Sequence, residues 1–198
     1  MGIGTASRVH NPRTGAFWGQ LAETEHAVQV YRDDLTFLDC LESFVAAGLR
    51  SGESVVLIAT APHLHELEKR LRSGWINLDR CRWEDRYIAV LVQETLAKFM
   101  VNDSPDEALF HDALGDMIAR ARGGGRKLRA FGEMVGVLWA EGNKNGALKL
   151  EHLWTRLQAE QKFPLFCAYA RSQLRLDSIE SDIQTICSAH SRVVPGYV

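Results

Sequence analysis

Tyr31 with Arg32, Thr60, Gln93 with Glu94, Glu133, and Tyr169 with Arg171 combine aromatic, hydroxyl, amide and ionic groups. A pocket for a small polar or mixed ligand needs such a set. Each group directly follows a short apolar run, and that shared context is what joins residues so far apart in the chain. Glu133 is the clearest case. In "RAFGEMVGVLWAEGN", Arg129 to Asn143, an apolar stretch passes through a glycine into a carboxylate and then into an apolar helical pattern. A carboxylate there either stabilises the start of its own helix, by about 0.3–1 kcal/mol, or accepts a hydrogen bond from a ligand or holds Arg171.

Other chemistries find no anchor in the sequence. His63 and His65 lie two apart in a helical segment and point in different directions, so they are not the i, i+4 pair that holds a metal. Cys40, Cys81, Cys167 and Cys187 form no CxxC pair, which argues against a zinc knuckle or a redox site. Cys167 sits within an apolar strand and reads as inert packing. No GxSxG elbow precedes a helix. A phosphate-binding loop needs GxxxxGK[ST] between strand and helix, whereas "APHLHELEKR" follows "VVLIAT" here. Catalytic residues, a metal and a cofactor are therefore not expected, and His26 is expected to be a structural histidine bonded to a backbone group.

The elements that must position the candidates follow from periodicity. "HAVQVY" (His26 to Tyr31), "SVVLIAT" (Ser54 to Thr60), "RYIAVLV" (Arg86 to Val92), "KLRAFG" (Lys127 to Gly132) and "FPLFCAYA" (Phe163 to Ala170) read as strands, several too apolar to have an exposed face. Helices are expected between them. One carries a stripe of Leu35, Leu38, Leu41, Val45 and Leu49 behind Asp33 and Asp34. A second starts at Pro62 with Leu64, Leu67 and Leu71, and a third covers "QETLAKFM". A fourth is expected to open on a capping box of Ser104, Pro105 and Glu107. A short helix follows Glu133, another carries Leu150, Leu153, Trp154 and Leu157, and a last one spans Ser178 to Ala189.

Strands alternating with helices imply right-handed crossovers and a mostly parallel sheet, covered on both faces, of about five or more strands. In such a sheet the strand C-termini share one edge, which brings the candidate side chains together. The expected organisation is a flexible N-terminal arm over 1–23, an α/β domain over 24–177, and a C-terminal helix and tail over 178–198. A formal charge of −2 in 198 residues supplies no basic field for nucleic acid. No apolar run approaches the roughly 20 residues that span a bilayer. Together with unpaired cysteines, this points to a cytoplasmic protein that neither crosses a membrane nor binds nucleic acid directly.

Several blocks in order, "EHAVQVYRDD", "GLRSGESVVLIAT", "ETLAKFM", "FGEMVGVLWAEGNKNGALKLEHLW", "FPLFCAY" and "ICSAHSRVVP", resemble the MEDS family, the methanogen/methylotroph sensory domain, over roughly residues 24 to 195. The resemblance implies a RecA/KaiC-like three-layer sandwich without its phosphate loop, working as a sensor in signalling. It places the family's recurrent blocks on His26 and Tyr31, Thr60 and His63, Glu94, Phe131 to Met134, Trp139, Gly142 and Asn143, Glu151 and Trp154, and Cys167 and Tyr169, without assigning them ligand roles. Family members are fused to helix-turn-helix repressors or to histidine kinases. This sequence carries neither, so a regulatory partner of one of those kinds is expected, reached through the terminal helix or a homodimer face. The leading expectation is a non-catalytic sensory domain with a small-molecule ligand at the strand C-terminal edge. A second is a degenerate RecA-like nucleotide-binding protein or ATPase, with Glu133 or Glu94 orienting water or Mg²⁺; fold analogy alone supports it. A third is a docking partner that binds no small ligand.

Overall fold

The computed structural model describes residues 18–19, 21–174 and 178–194. A six-stranded sheet runs through the centre in the order β3-β2-β6-β7-β1-β8, every pair parallel. The strands are β1 (His26–Tyr31), β2 (Ser54–Ala59), β3 (Tyr87–Leu91), β6 (Leu128–Gly132), β7 (Leu165–Ala170) and β8 (Arg192–Val193). Five coincide with the expected segments to within a residue or two. β8 is an addition, because two residues in "HSRVVPGYV" are too few to show a period.

Helices α1 (Asp34–Arg50), α2 (Ala61–Ser73) and α3 (Leu78–Trp83) cover one face. Helices α4 (Val92–Leu96), α5 (Glu107–Ala121), α6 (Met134–Ala140), α7 (Lys144–Gln161) and α8 (Ile179–Ser188) cover the other. The protein is thus a three-layer α/β sandwich. Alternation along the strands divides the core cleanly: Val55, Leu57, Phe131, Phe166, Ala168 and Ala170 face α1–α3, while Val56, Ile58, Ala130, Cys167 and Tyr169 face α4–α8. Every residue of β2 and β7 is buried, which accounts for their unbroken apolar sequence. Leu57→Ala in this setting costs about 2–5 kcal/mol.

Local chemistry fixes the helix ends. Asp33 caps α1 by accepting from the Thr36 N–H at 2.8 Å, and Pro62 lies in the first turn of α2. Leu35 is 60 % exposed, so the buried stripe of α1 begins at Phe37. The expected capping box is also corrected. Ser104 and Pro105 form β5, which pairs antiparallel with β4 (Met100–Val101), and Asp106 caps α5 by accepting from the Leu109 N–H at 3.0 Å. Pairing of Met100 with Pro105 holds those residues extended and moves the helix start forward. The ribbon also shortens the expected "QETLAKFM" helix to α4.

Most of the expected N-terminal arm lies outside the described residues, as do 195–198 of the tail. Trp18 belongs to the core, fully buried with its ring 5.1 Å from Phe44 and 5.1 Å from Phe166. Its carbonyl accepts from Arg129, a buried guanidinium that also donates to the Phe44 carbonyl and pairs with Glu53 at 2.6 Å. Gly48 makes room for it, since a Cβ there would lie 2.6 Å from Arg129 Nε. Among the described residues no helix is long and apolar enough to cross a membrane.

Candidate functional site

The trailing ends of β1, β2, β3, β6 and β7 surround one pocket of about 620 Å³, open to solvent. Tyr31, Thr60, Gln93, Glu133 and Ala170 represent those five ends. Gly136 forms part of the floor, where α6 passes so close to β7 that a Cβ would sit 2.7 Å from the Ala168 carbonyl oxygen. Glycine is the residue that this crossing tolerates.

Glu133 organises the pocket. It is the N-cap residue of α6, yet its side chain makes no capping bond to that helix. Its backbone N–H donates to the Ile58 carbonyl at 2.9 Å, continuing the β6–β2 ladder by one residue and aiming the carboxylate at the next strand. Oε2 accepts from the Thr60 N–H at 2.8 Å, at the start of α2, and Oε1 accepts from His63 Nδ1–H at 2.6 Å. The carboxylate therefore neutralises the open amide end of the neighbouring helix, and neither its own helix nor the exposed Arg171 is its partner.

His63 completes a line of three groups, with Nε2 3.8 Å from Asp34 Oδ1. Burial by itself lowers the pKa of His63, but the hydrogen bond and charge of Glu133, then Asp34, outweigh it, and the net shift is upward. Tyr31 is 5 % exposed and stacked on Phe37 at 4.6 Å. Burial first, then the charges of Glu133 and Asp34, raises its pKa and keeps the hydroxyl neutral. The site offers a carboxylate–imidazole pair, a phenol and an amide beside the apolar surface of Ala168, Ala170 and Val137. That combination suits hydrogen bonding to a small ligand of mixed polarity.

Four of the sequence candidates, Tyr31, Thr60, Gln93 and Glu133, line the pocket. Arg32, Glu94 and Arg171 are exposed and each adjoins a lining residue in sequence: Tyr31, Gln93, and Ala170 with Ser172. Tyr169 is elsewhere. The parallel register pairs Tyr31 with Ala170 and Val30 with Tyr169, so the phenol of Tyr169 faces α7 on the far side of the sheet. Sequence reasoning passed over His63 and Asp34 as pocket residues. The available signal was position, since both lie in the first turn of a helix that follows a strand directly.

Comparison with curated proteins finds no match. A family model described as "MEthanogen/methylotroph, DcmR Sensory domain" matches residues 25–190, a span that includes all five strand ends and the pocket between them. The chain belongs to the MEDS family of sensory domains.

Proposed function

We propose that this MEDS domain is a non-catalytic sensor that binds a small molecule of mixed polarity in the pocket at the strand C-terminal edge. Tyr31, Thr60, His63 and Glu133 contact the ligand, with Arg32, Glu94 and Arg171 around the rim. Binding is relayed in the cytoplasm to a regulatory partner, a transcription regulator or a histidine kinase. One observation carries the reading: five strand ends converge on a single cavity whose polar groups are already held in place by one another. Its volume lies within the range of about 300–1,000 Å³ usual for small-molecule sites.

The same geometry weighs against the nucleotide alternative. In nucleotide-binding α/β proteins the phosphate sits on the open amides where a helix follows a strand. After β2, the Thr60 amide is already taken by the chain's own carboxylate, whose charge repels a phosphate. Native mass spectrometry of the full chain is expected to find a retained small organic compound. Re-adding that compound should raise the melting temperature of the wild type more than that of Thr60→Val. Micromolar binding of ATP with Mg²⁺ in a calorimeter would overturn the reading.

A further inference from the structure

On the face of the sheet covered by α4–α8, His26 of β1, Glu151 of α7, Cys167 of β7 and His190, just after α8, meet side by side. Their ligand-type atoms all lie within 4.8 Å of one another. His26 Nε2 is 3.4 Å from Cys167 Sγ and 3.2 Å from Glu151 Oε1. His190 Nε2 is also 3.2 Å from Glu151 Oε1. The side chains of His26, Glu151 and His190 are 5 %, 6 % and 0 % exposed, and Cys167 is 1 % exposed. Zinc bonds of about 2.0–2.3 Å in a tetrahedron place the ligand atoms about 3.3–3.6 Å apart. The three separations above agree with that to within a few tenths of an ångström.

Hydrogen bonding outside the cluster presents lone pairs inward. His190 Nδ1–H donates to the Ile186 carbonyl at 2.7 Å, so the Nε2 that faces the cluster carries no hydrogen in the neutral ring. The Tyr169 hydroxyl donates to Glu151 Oε2 at 3.2 Å and leaves Oε1 turned toward both imidazoles. His190 Nε2 and Glu151 Oε1 are buried without a hydrogen-bond partner, as is His26 Nδ1 on the outer side. Lone pairs that face each other in a dry interior are costly. A proton on Glu151 relieves one contact at a time, whereas a divalent ion relieves all of them.

We propose that His26, Glu151, Cys167 and His190 form a four-coordinate site for a borderline-soft divalent transition metal of the Zn²⁺ type. Two imidazoles, a thiolate and a carboxylate are the donors such an ion selects over Mg²⁺ or Ca²⁺. Loading sends the Cys167 proton, and any carried by Glu151, to solvent. Two anionic ligands then balance the dication, and the buried site is neutral. The expectation of no metal weighed His63 with His65 and the lack of a CxxC pair, and took His26 and Cys167 as structural. Here the fold assembles a different set from four separate elements. The ion also ties the C-terminal segment to the sheet, because His190 directly precedes Ser191, which bonds the His26 backbone, and β8, which pairs with β1.

The test is titration of the chelator-stripped full chain with Zn²⁺ alone, and with Co²⁺ as a spectroscopic stand-in. One ion per chain is expected, with tetrahedral cobalt bands and a thiolate-to-cobalt charge-transfer band. Cys167→Ser should abolish the charge-transfer band. His190→Gln should weaken Zn²⁺ binding by more than the roughly 10–100-fold that loss of an outer hydrogen-bond partner costs. Failure of the wild type to take up either ion overturns the proposal, as does uptake without the charge-transfer band or a band that survives in Cys167→Ser. If either variant fails to fold by circular dichroism, the wild-type cobalt spectrum decides.

Discussion

Replacing Glu133 with Gln tests whether the pocket is held together by charge. The carboxylate accepts two hydrogen bonds, from the Thr60 N–H at 2.8 Å and His63 Nδ1–H at 2.6 Å, with its side chain 7 % exposed. A glutamine oxygen can keep the first bond. Its NH₂ then faces His63, which must give up the Nδ1 hydrogen and become the acceptor. Hydrogen bonds to a charged group contribute about 1.5–3 kcal/mol against about 0.5–1.5 for neutral pairs. With His63 protonated, donor meets donor, and the loss is about 2–3 kcal/mol. For a chain of this size that is about 4–12 °C in melting temperature. The sign of the pH dependence follows from the upward shift of His63. A group with a raised folded pKa adds stability that is complete below its unfolded value, about 6.5, and is lost as pH rises through the folded value. The gap between wild type and Glu133→Gln should therefore be wider at about pH 5.5 than at about pH 8.5. Thermal melts followed by circular dichroism at both pH values measure it. A variant as stable as wild type, or a gap of the same size at both, would refute the reasoning.

Gly136→Ala should cost about 1–3 kcal/mol, because its Cβ would meet a backbone carbonyl rather than a movable side chain, and urea denaturation with an unchanged slope would register it. Arg129→Ala should be more severe, about 3 kcal/mol or more, since it removes a buried guanidinium that donates to the Trp18 and Phe44 carbonyls and leaves Glu53 without its cation; the same denaturation series ranks the two. Tyr169→Phe should leave one Zn²⁺ per chain but weaken it by about 10–100-fold in competition with a chromogenic chelator, through loss of the hydrogen bond to Glu151 Oε2.

The sheet was readable from sequence because strands buried on both faces leave unbroken runs such as "SVVLIA" and "LFCAYA". The shared edge was readable too, since parallel strands joined by helices admit it by topology alone. Facing was harder to read. Choosing Tyr169 for its closeness to the strand end ignored the period-two alternation, and only the register beside β1 shows that Ala170 is the neighbour of Tyr31. The Ser104–Pro105–Glu107 pattern misled because a β pairing outweighed a local capping preference. The histidine, glutamate and cysteine cluster was not legible as a site: the family's recurrent blocks include His26, Glu151 and Cys167 without a role, and only the tertiary fold brings the four members from β1, α7, β7 and the turn after α8 into contact.

Strand β7 touches two compartments at once. Ala168 and Ala170 form wall of one, while Cys167 and Tyr169, interleaved with them, reach into the other. Because the two sets alternate along the same six residues, an occupant of one compartment that shifted β7 would also shift side chains of the other. Thermodynamic reciprocity then requires that whatever one compartment does to affinity in the second is returned by the same factor. A single strand thus supplies side chains to both compartments.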